Sequence, residues 1–260
     1  MKRTVHPWED DMATSNITNQ MADLSFSGQH IVAQAVEDAR WFHVRDRSIV
    51  VNVGMTAAPI VGHPTKVIRP LNSTILQDAV IESAERLVCL SVAQSRNVGR
   101  IIFEPGWALY WDVLVKELGL AGAAATGYQK QTPLWRSSQD TIGTVSFDPH
   151  YITGQRVTPT SLANFVIRVN LWFAPEHTDC AIHNRHDFIE VHTQVYGTGR
   201  MQKFRESDIT TLYQDIVMGP GYTTPDPFCW VTDASTFHYP WHQYYADTDC
   251  IWLAVEYHPA

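Results

Sequence analysis

Four side chains that can bind metals or move protons fall within one short stretch, Ile182 to Arg200. They are three histidines and one glutamate: His183, His186, Glu190 and His192. A Gly-Thr-Gly turn, Gly197 to Gly199, closes this stretch, and His242 follows fifty residues after His192. Imidazole and carboxylate groups together suit iron, manganese, nickel, zinc or copper. The pattern therefore suggests a divalent metal ion bound by this stretch together with His242.

The elements that would hold these groups are strands, in which every second side chain faces the same way. Three polar side chains share one face of a predicted strand from Phe188 to Tyr196: Glu190, His192 and Gln194. His183 and His186 are separated by an odd number of residues, so both cannot point inward on one regular strand. At most one of these two histidines is therefore expected to be a ligand, unless a bulge or turn intervenes.

The composition and charge of the chain argue against several classes of protein. The chain has 260 residues, 18% of them charged and 45% hydrophobic, with a formal net charge of -8. An acidic balance argues against nonspecific binding to nucleic acid, which needs a basic surface. The N-terminus lacks the apolar core of a signal peptide, no apolar run is long enough to span a membrane, and no cysteines form a CxxC pair. We expect a cytoplasmic protein with no membrane or nucleic-acid partner.

The hydrophobic pattern predicts a mainly β chain. Residues 1–23 are predicted to be an N-terminal arm, 24–160 an α+β region and 161–260 a barrel of short antiparallel strands. A capping box at Thr74 and Gln77, with an apolar stripe through Ala93, predicts a helix. Arg100–Glu104 is predicted to be a short strand. Trp107–Leu118 is either a second helix that stops at Gly119 or, in its first residues, a strand.

At these residues the chain resembles the cupin superfamily, over roughly residues 164 to 258. Glu190 and Gly197 keep the spacing of the first cupin motif, but one of the two expected histidines before Glu190 is replaced. Pro240-Trp241-His242 resembles the second motif without its usual glycine. The resemblance implies a double-stranded β-helix, also called a jelly-roll barrel. It further implies that the first 160 residues are an α+β extension or a degenerate second cupin.

The resemblance also implies roles for individual side chains. The metal ligands would be Glu190 and His242 with His183 or His186. His192 could replace the lost ligand or, like Tyr244, move a proton. Four side chains would contact the substrate: Trp172, Gln194, Tyr196 and Trp241. The metal would be iron, with zinc, manganese or nickel as alternatives, and the chain would form a homodimer.

A second metal pattern competes with this one. His177-Thr178-Asp179, with a distal His238 or His242, matches the HxD triad of iron and 2-oxoglutarate oxygenases. Those enzymes hold the co-substrate carboxylate with an Arg or Lys after the distal histidine, and none follows His242. Phosphate-binding loops and a GxSxG nucleophile elbow are also missing from the sequence. The favoured hypothesis is a metal-dependent cupin enzyme, an oxygenase first, that acts on a small organic molecule. A redox-neutral isomerase or lyase and a non-enzymatic ligand-binding cupin are the alternatives.

Overall fold

A computed structural model describes residues 19–93, 97–224, 227–233 and 235–260 of the chain. The described chain is mainly β, with antiparallel strands throughout its sheets. The first half contains β1 (Gln20–Asp23), β2 (Ile31–Val44), β3 (Ser48–Asn52), β4 (Ala58–Ile60), β5 (Lys66–Ile68), β6 (Ser73–Leu76), β7 (Ala79–Val92), β8 (Ala108–Leu109), β9 (Trp135–Arg136) and β10 (Asp140–Phe147). The second half contains β11 (Ala163–Ala174), β12 (Thr178–Asp179), β13 (Ile189–Tyr196), β14 (Gly199–Phe204), β15 (Leu212–Met218), β16 (Trp230–Asp233), β17 (Thr236–His238), β18 (Trp241–Ala246) and β19 (Cys250–Pro259).

Helices are few. The longer one is α1 (Tyr110–Ala125), and a single turn, α2 (Pro149–Ile152), follows β10. Two 3-10 helices lie at Val98–Phe103 and Ile209–Thr211. Among the described residues, no helix is long and apolar enough to cross a bilayer.

The late strands form a jelly roll. One sheet has the order β13-β19-β11-β9-β8, with β10 also paired to β11, and the facing sheet has the order β12-β18-β14-β15. Strands β11 to β14 alternate between the two sheets, and β18 and β19 again lie in different sheets. A bridge between Thr193 and Thr223 extends the first sheet beyond β13. Alternation of this kind defines the double-sheet jelly roll, so the expected fold class is confirmed.

The early strands form a separate seven-stranded sheet, ordered β1-β2-β7-β3-β6 with β4 and β5 attached. This sheet packs on one face of the six-stranded sheet, where both contribute to one apolar core. The phenolic hydroxyl of Tyr257 on β19 donates a hydrogen bond to the carbonyl of Val53 across this junction (3.0 Å). The boundary near residue 160 stays a prediction, because strands on both sides of it build the six-stranded sheet.

The two faces of the six-stranded sheet differ in polarity. The alternate side chains Phe165, Ile167 and Leu171 of β11 lie in the shared apolar core. The other face looks toward the four-stranded sheet and carries these cavity-lining side chains: Arg168, Trp172, Glu190, His192, Trp252 and Glu256. Glu190 and His192 of β13 therefore point into the barrel. Alternation predicted that they share a face and left open which side that face is on.

The helix predicted over Thr74–Ala93 is wrong. This segment forms β6 and β7, and Asp78 between them has a left-handed φ of 47°. Strand β7 is central, with β2 on one side and β3 and β4 on the other. Both of its faces are covered along Leu87–Leu90, so apolar residues occur in succession and hide the period of two. Burial in the sheet thus overrides the local capping signal.

Two neighbouring predictions also need correction. The short strand predicted at Arg100–Glu104 is instead part of a 3-10 helix. The second helix begins at Tyr110, after the two-residue strand β8, so both alternatives for this segment are partly right. Gly119 does interrupt the helix, with φ 72° and ψ 168°, but helical residues continue to Ala125.

The end of the predicted N-terminal arm, residues 20–23, forms β1, which pairs with β2. The remainder of the arm, residues 1–18, lies outside the described residues. The region 24–160 is richer in strands than predicted, since α1 and the single turn α2 are its α-helices in the described part.

Candidate metal centre

Three elements converge on one point inside the jelly roll. Strand β13 supplies Glu190, strand β18 supplies His242, and the connection from β12 to β13 supplies His183 and His186. This connection is irregular. His183 is anchored to His242 by two backbone hydrogen bonds, each 2.9 Å long, from either N–H to the other carbonyl.

Two of the histidines have their orientation fixed by backbone carbonyls. The Nδ1 atom of His183 lies 3.0 Å from the carbonyl oxygen of Ala181, and Nδ1 of His242 lies 2.9 Å from that of Pro240. A carbonyl oxygen only accepts, so Nδ1 is the protonated nitrogen in each ring. The Nε2 lone pair of each ring is therefore left for a ligand, which is a usual arrangement for metal-binding histidine.

The donor atoms have the spacing of a metal site. Nε2 of His186 lies 3.2 Å from Nε2 of His242, and Oε1 of Glu190 lies 3.3 Å and 3.8 Å from these two nitrogens. Two nitrogens bound to one ion at about 2.1 Å are roughly 3.0–3.4 Å apart at octahedral or tetrahedral angles. The ligand atoms of His183, His186 and His242 all lie within 4.8 Å of one another. The residues therefore fit a single divalent ion.

Both His183 and His186 reach this point, which strand alternation allowed only where a bulge or turn intervenes. Neither residue is on a regular strand, because β12 ends at Asp179 and β13 begins at Ile189. The shorter cupin spacing would place Asn184 and His186 at the histidine positions, and the longer one His183 and Arg185. His183 brings an imidazole to the cluster because its backbone pairs with β18.

Burial shifts the acid–base behaviour of the cluster strongly. Burial, with a smaller effect of His242, lowers the pKa of His183 to about 3, and burial lowers the pKa of His242 to about 4. Burial, and then the imidazoles of His183, His242 and His192, hold the pKa of His186 well below its usual value. Burial raises the pKa of Glu190 to about 7, although His192 opposes that shift. Neutral imidazole is the form that binds metals.

His192 and Tyr244 lie beside the donor set and outside its three-histidine group. Nε2 of His192 is 3.9 Å from Oε2 of Glu190, and its ring packs edge-on against Tyr244 at 4.2 Å between centroids. Its Nδ1 atom is buried and has no hydrogen-bond partner among the described residues. His192 is thus close to the carboxylate but makes no hydrogen bond with it.

A cavity of about 360 Å³ opens next to the cluster. Of the four predicted substrate contacts, Trp172 lines this cavity and the other three do not. Gln194 is fully buried below it and donates to the carbonyl of Tyr196, while Tyr196 packs against the apolar core. Trp241 precedes the inward-facing His242 on β18, so it faces the other way.

The sequence reasoning missed five important lining residues: Tyr110, Tyr128, Arg136, Arg168 and Glu256. Glu256 lies on β19, where the alternate residues Trp252, Glu256 and His258 face the cavity, so strand alternation is the signal that could have found it. Tyr110 and Tyr128 carried no such signal, because they come from α1 and the chain after it. The hydroxyl of Tyr128 lies 3.3 Å from Nδ1 of His183.

The competing HxD pattern does not form a site. Nδ1 of His177 lies 3.4 Å from the hydroxyl of Tyr245, and Asp179 is exposed and accepts a hydrogen bond from Gln243 at 2.9 Å. Tyr245 and Gln243 alternate with His242 and Tyr244 along β18, so these contacts lie on the opposite face from the cluster.

No family model and no curated protein matches this sequence. Among solved structures, an RmlC-like cupin protein from Desulfovibrio desulfuricans aligns at 12% identity over 35% of this chain and 71% of that one, with a TM-score of 0.25. An S161A mutant of Bacillus subtilis oxalate decarboxylase aligns at 9% identity over 93% of this chain and 74% of that one, with a TM-score of 0.27. Hydroxypropylphosphonic acid epoxidase from S. wedmorenis aligns at 10% identity over 36% of this chain and 49% of that one, with a TM-score of 0.25. Since these TM-scores are low, the fold and the site rest on the geometry of the chain itself.

Proposed function

We propose that the protein is a metal-dependent enzyme of the cupin type, most directly an iron oxygenase, that acts on a small organic substrate. The observation that carries the proposal is the triangle formed by Glu190 Oε1, His186 Nε2 and His242 Nε2, with sides of 3.2, 3.3 and 3.8 Å. Two histidines and one carboxylate that leave open positions are the typical ligand set of non-haem iron oxygenases. His183 adds a third imidazole to this set.

A bound iron would supply redox and Lewis-acid chemistry at this cluster. The chain itself fixes the donor groups before any ligand arrives. The hydroxyl of Tyr239 accepts the N–H of Glu190 and donates to the carbonyl of Phe188, each at 3.0 Å, and so holds the start of β13 in place. Tyr110 packs edge-on against Trp172 at 4.6 Å between centroids, and the two rings form an aromatic wall of the cavity.

A redox-neutral isomerase or lyase is the second candidate, and the position of His192 favours it. Burial lowers the pKa of this imidazole, so it is neutral at pH 7 and can accept a proton from a substrate in the cavity. Tyr244 lies against the same ring. In this candidate zinc, manganese or nickel would serve as well as iron. A non-enzymatic ligand-binding protein, a homodimer and a cytoplasmic location stay predictions from the sequence and its resemblance.

Elemental analysis of the purified protein tests the metal site. We expect stoichiometric metal in the wild type and in His192→Gln, and at least a tenfold loss in His242→Ala and Glu190→Ala. His192→Gln is the matched control, because it changes a buried histidine next to the cluster and leaves the four donors intact. A wild type that binds no metal after anaerobic incubation with iron, zinc or manganese, or a His242→Ala protein that retains its metal, would refute the proposal.

Electron paramagnetic resonance separates the two reaction classes. Protein loaded anaerobically with Fe(II) and exposed to nitric oxide should give the signal of an iron–nitrosyl with spin 3/2, which requires an open coordination position. Absence of that signal from iron-loaded wild type would favour the redox-neutral candidate over the oxygenase.

A further inference from the structure

One cation in the cavity has a side chain without a partner among the described residues. Arg168 on β11 lines the cavity and is partly buried, and its guanidinium makes no hydrogen bond or ion pair with any described residue. Strand register places it in one row with two carboxylates, because Glu190 pairs with Glu256 and Glu256 pairs with Arg168 across β13, β19 and β11. The guanidinium therefore belongs to the same layer of the barrel as Glu190.

The adjacent carboxylate of Glu256 is already satisfied. It accepts hydrogen bonds from Gln139 (2.9 Å) and Asn170 (3.0 Å), and it lies 2.8 Å from Nε2 of His258. Burial alone would raise the pKa of Glu256, but the contacts with His258, Asn170 and Arg136 bring that pKa below its usual value. Glu256 is thus a stable anion with its own donors, and it does not use Arg168.

The second arginine of the cavity is also occupied. Arg136 forms an ion pair with Glu117 at 2.7 Å, and its guanidinium lies 5.8 Å from the ring centre of Tyr110 and 6.0 Å from that of Trp172. It supports the aromatic wall. Arg168 is therefore the cavity's free cation within the described part of the chain.

We infer that the cavity binds a small organic acid, with its carboxylate on Arg168 and its other end toward the His–Glu cluster. A guanidinium binds a carboxylate in a bidentate, charge-assisted manner. Arg168 and Glu190 are two strands apart, about 10 Å between backbones, so the acid must be short. Tyr110 and Trp172 line the cavity, and aromatic side chains suit an aromatic or other planar body. The inference rests on the proposed function, because it names the substrate class for the same cavity.

Calorimetric titration with sodium benzoate tests this inference, with benzamide as the neutral molecule of the same shape. We expect saturable binding of benzoate to the wild type, at least tenfold weaker binding to Arg168→Gln, and partial recovery in Arg168→Lys. Arg205→Gln is the matched control, because Arg205 lies over Tyr213, away from the cavity, and should leave binding unchanged. Thermal melting verifies that each variant is folded, and each titration is repeated after removal of metal with a chelator.

Three results would overturn the inference. They are a wild type that does not bind benzoate, equal binding of benzoate and benzamide, and benzoate binding that needs the metal but not Arg168. Metal analysis of the same samples keeps the two proposals separate. A protein that retains metal but does not bind benzoate would contradict only the organic-acid inference. A protein that binds benzoate through Arg168 but never takes up metal would contradict only the proposal of a metal-dependent enzyme.

Discussion

Glu190 shows how one carboxyl group can depend on its surroundings for its charge. It is buried in a layer of imidazoles that are themselves neutral, so in the metal-free protein its pKa rises to about 7. A divalent cation would reverse this balance, because an adjacent positive charge favours the ionised carboxylate. Ionised Glu190 therefore destabilises the metal-free protein at high pH, whereas a bound metal would stabilise the ionised form.

The raised pKa of Glu190 predicts that, without metal, the free energies of unfolding of the wild type and Glu190→Gln differ by an amount that depends on pH. The pKa of Glu190 is about 7 in the folded chain and 4.5 in the unfolded chain. Between these values the unfolded state binds fewer protons, so the free energy of unfolding of the wild type falls as pH rises. Relative to Glu190→Gln, the wild type should lose on the order of 2–3 kcal/mol between pH 4.5 and 8.

Urea denaturation of chelator-treated protein at several pH values measures that difference. The buried histidines act in the opposite direction, since their lowered pKa values reduce stability as pH falls below 6.5. They are present in both proteins and largely cancel when the two curves are subtracted. Glu206→Gln, at an exposed site, is the control and should show no such trend. If the free energy of unfolding of Glu190→Gln runs parallel to that of the wild type across this pH range, the raised pKa of Glu190 is contradicted.

The turn between β13 and β14 determines how β13, the strand that carries Glu190, packs against the chain next to it. Gly197 has a left-handed φ of 75°, and a Cβ atom added there would lie 1.9 Å from the carbonyl oxygen of Asp249. The turn therefore packs directly against the chain that enters β19. This close approach is the physical reason for a glycine seven residues after Glu190.

We expect Gly197→Ala to reduce the free energy of unfolding by about 3 kcal/mol or more, because the backbone and a fixed carbonyl must both shift. Gly219→Ala is the matched control, since a Cβ atom there meets no atom within 4 Å and the backbone is not left-handed. Chemical denaturation of both variants measures the effect. Equal stabilities for the two would show that the turn tolerates a side chain.

The six-stranded sheet depends on the first half of the chain to cover one of its faces. One face of this sheet forms the cavity, and the other contributes apolar side chains to the core shared with β2, β3 and β7. A barrel cut at residue 160 would lose β8 to β10 from its own sheet and the seven-stranded sheet from its apolar face. Exposed apolar surface of this size promotes association.

We therefore predict that residues 161–260 expressed alone will not form a stable monomer. The fragment should aggregate or bind a hydrophobic dye, and it should lack the near-ultraviolet circular dichroism of the full chain. A monomeric fragment with cooperative unfolding would instead establish the division at residue 160 as a true domain boundary.

The sequence by itself determined that imidazole and carboxylate groups gather around one predicted strand, and that Glu190 and His192 share a face of it. Regular strands make this possible, since a period of two fixes the direction of Glu190 and His192 wherever β13 packs. The strand predicted from Phe188 to Tyr196 matches β13 (Ile189–Tyr196) to within one residue. Local pattern failed in β7, where burial on both faces removed the alternation that identifies a strand.

Only the tertiary structure decided which histidines share the site and which charges border the cavity. His183 and His186 reach the cluster through an irregular connection whose path depends on pairing with β18, sixty residues away in sequence. Arg168 and Glu256 become neighbours of Glu190 through strand register, which links β11, β19 and β13. Such register depends on the packing of whole sheets, and no local spacing in the chain encodes it.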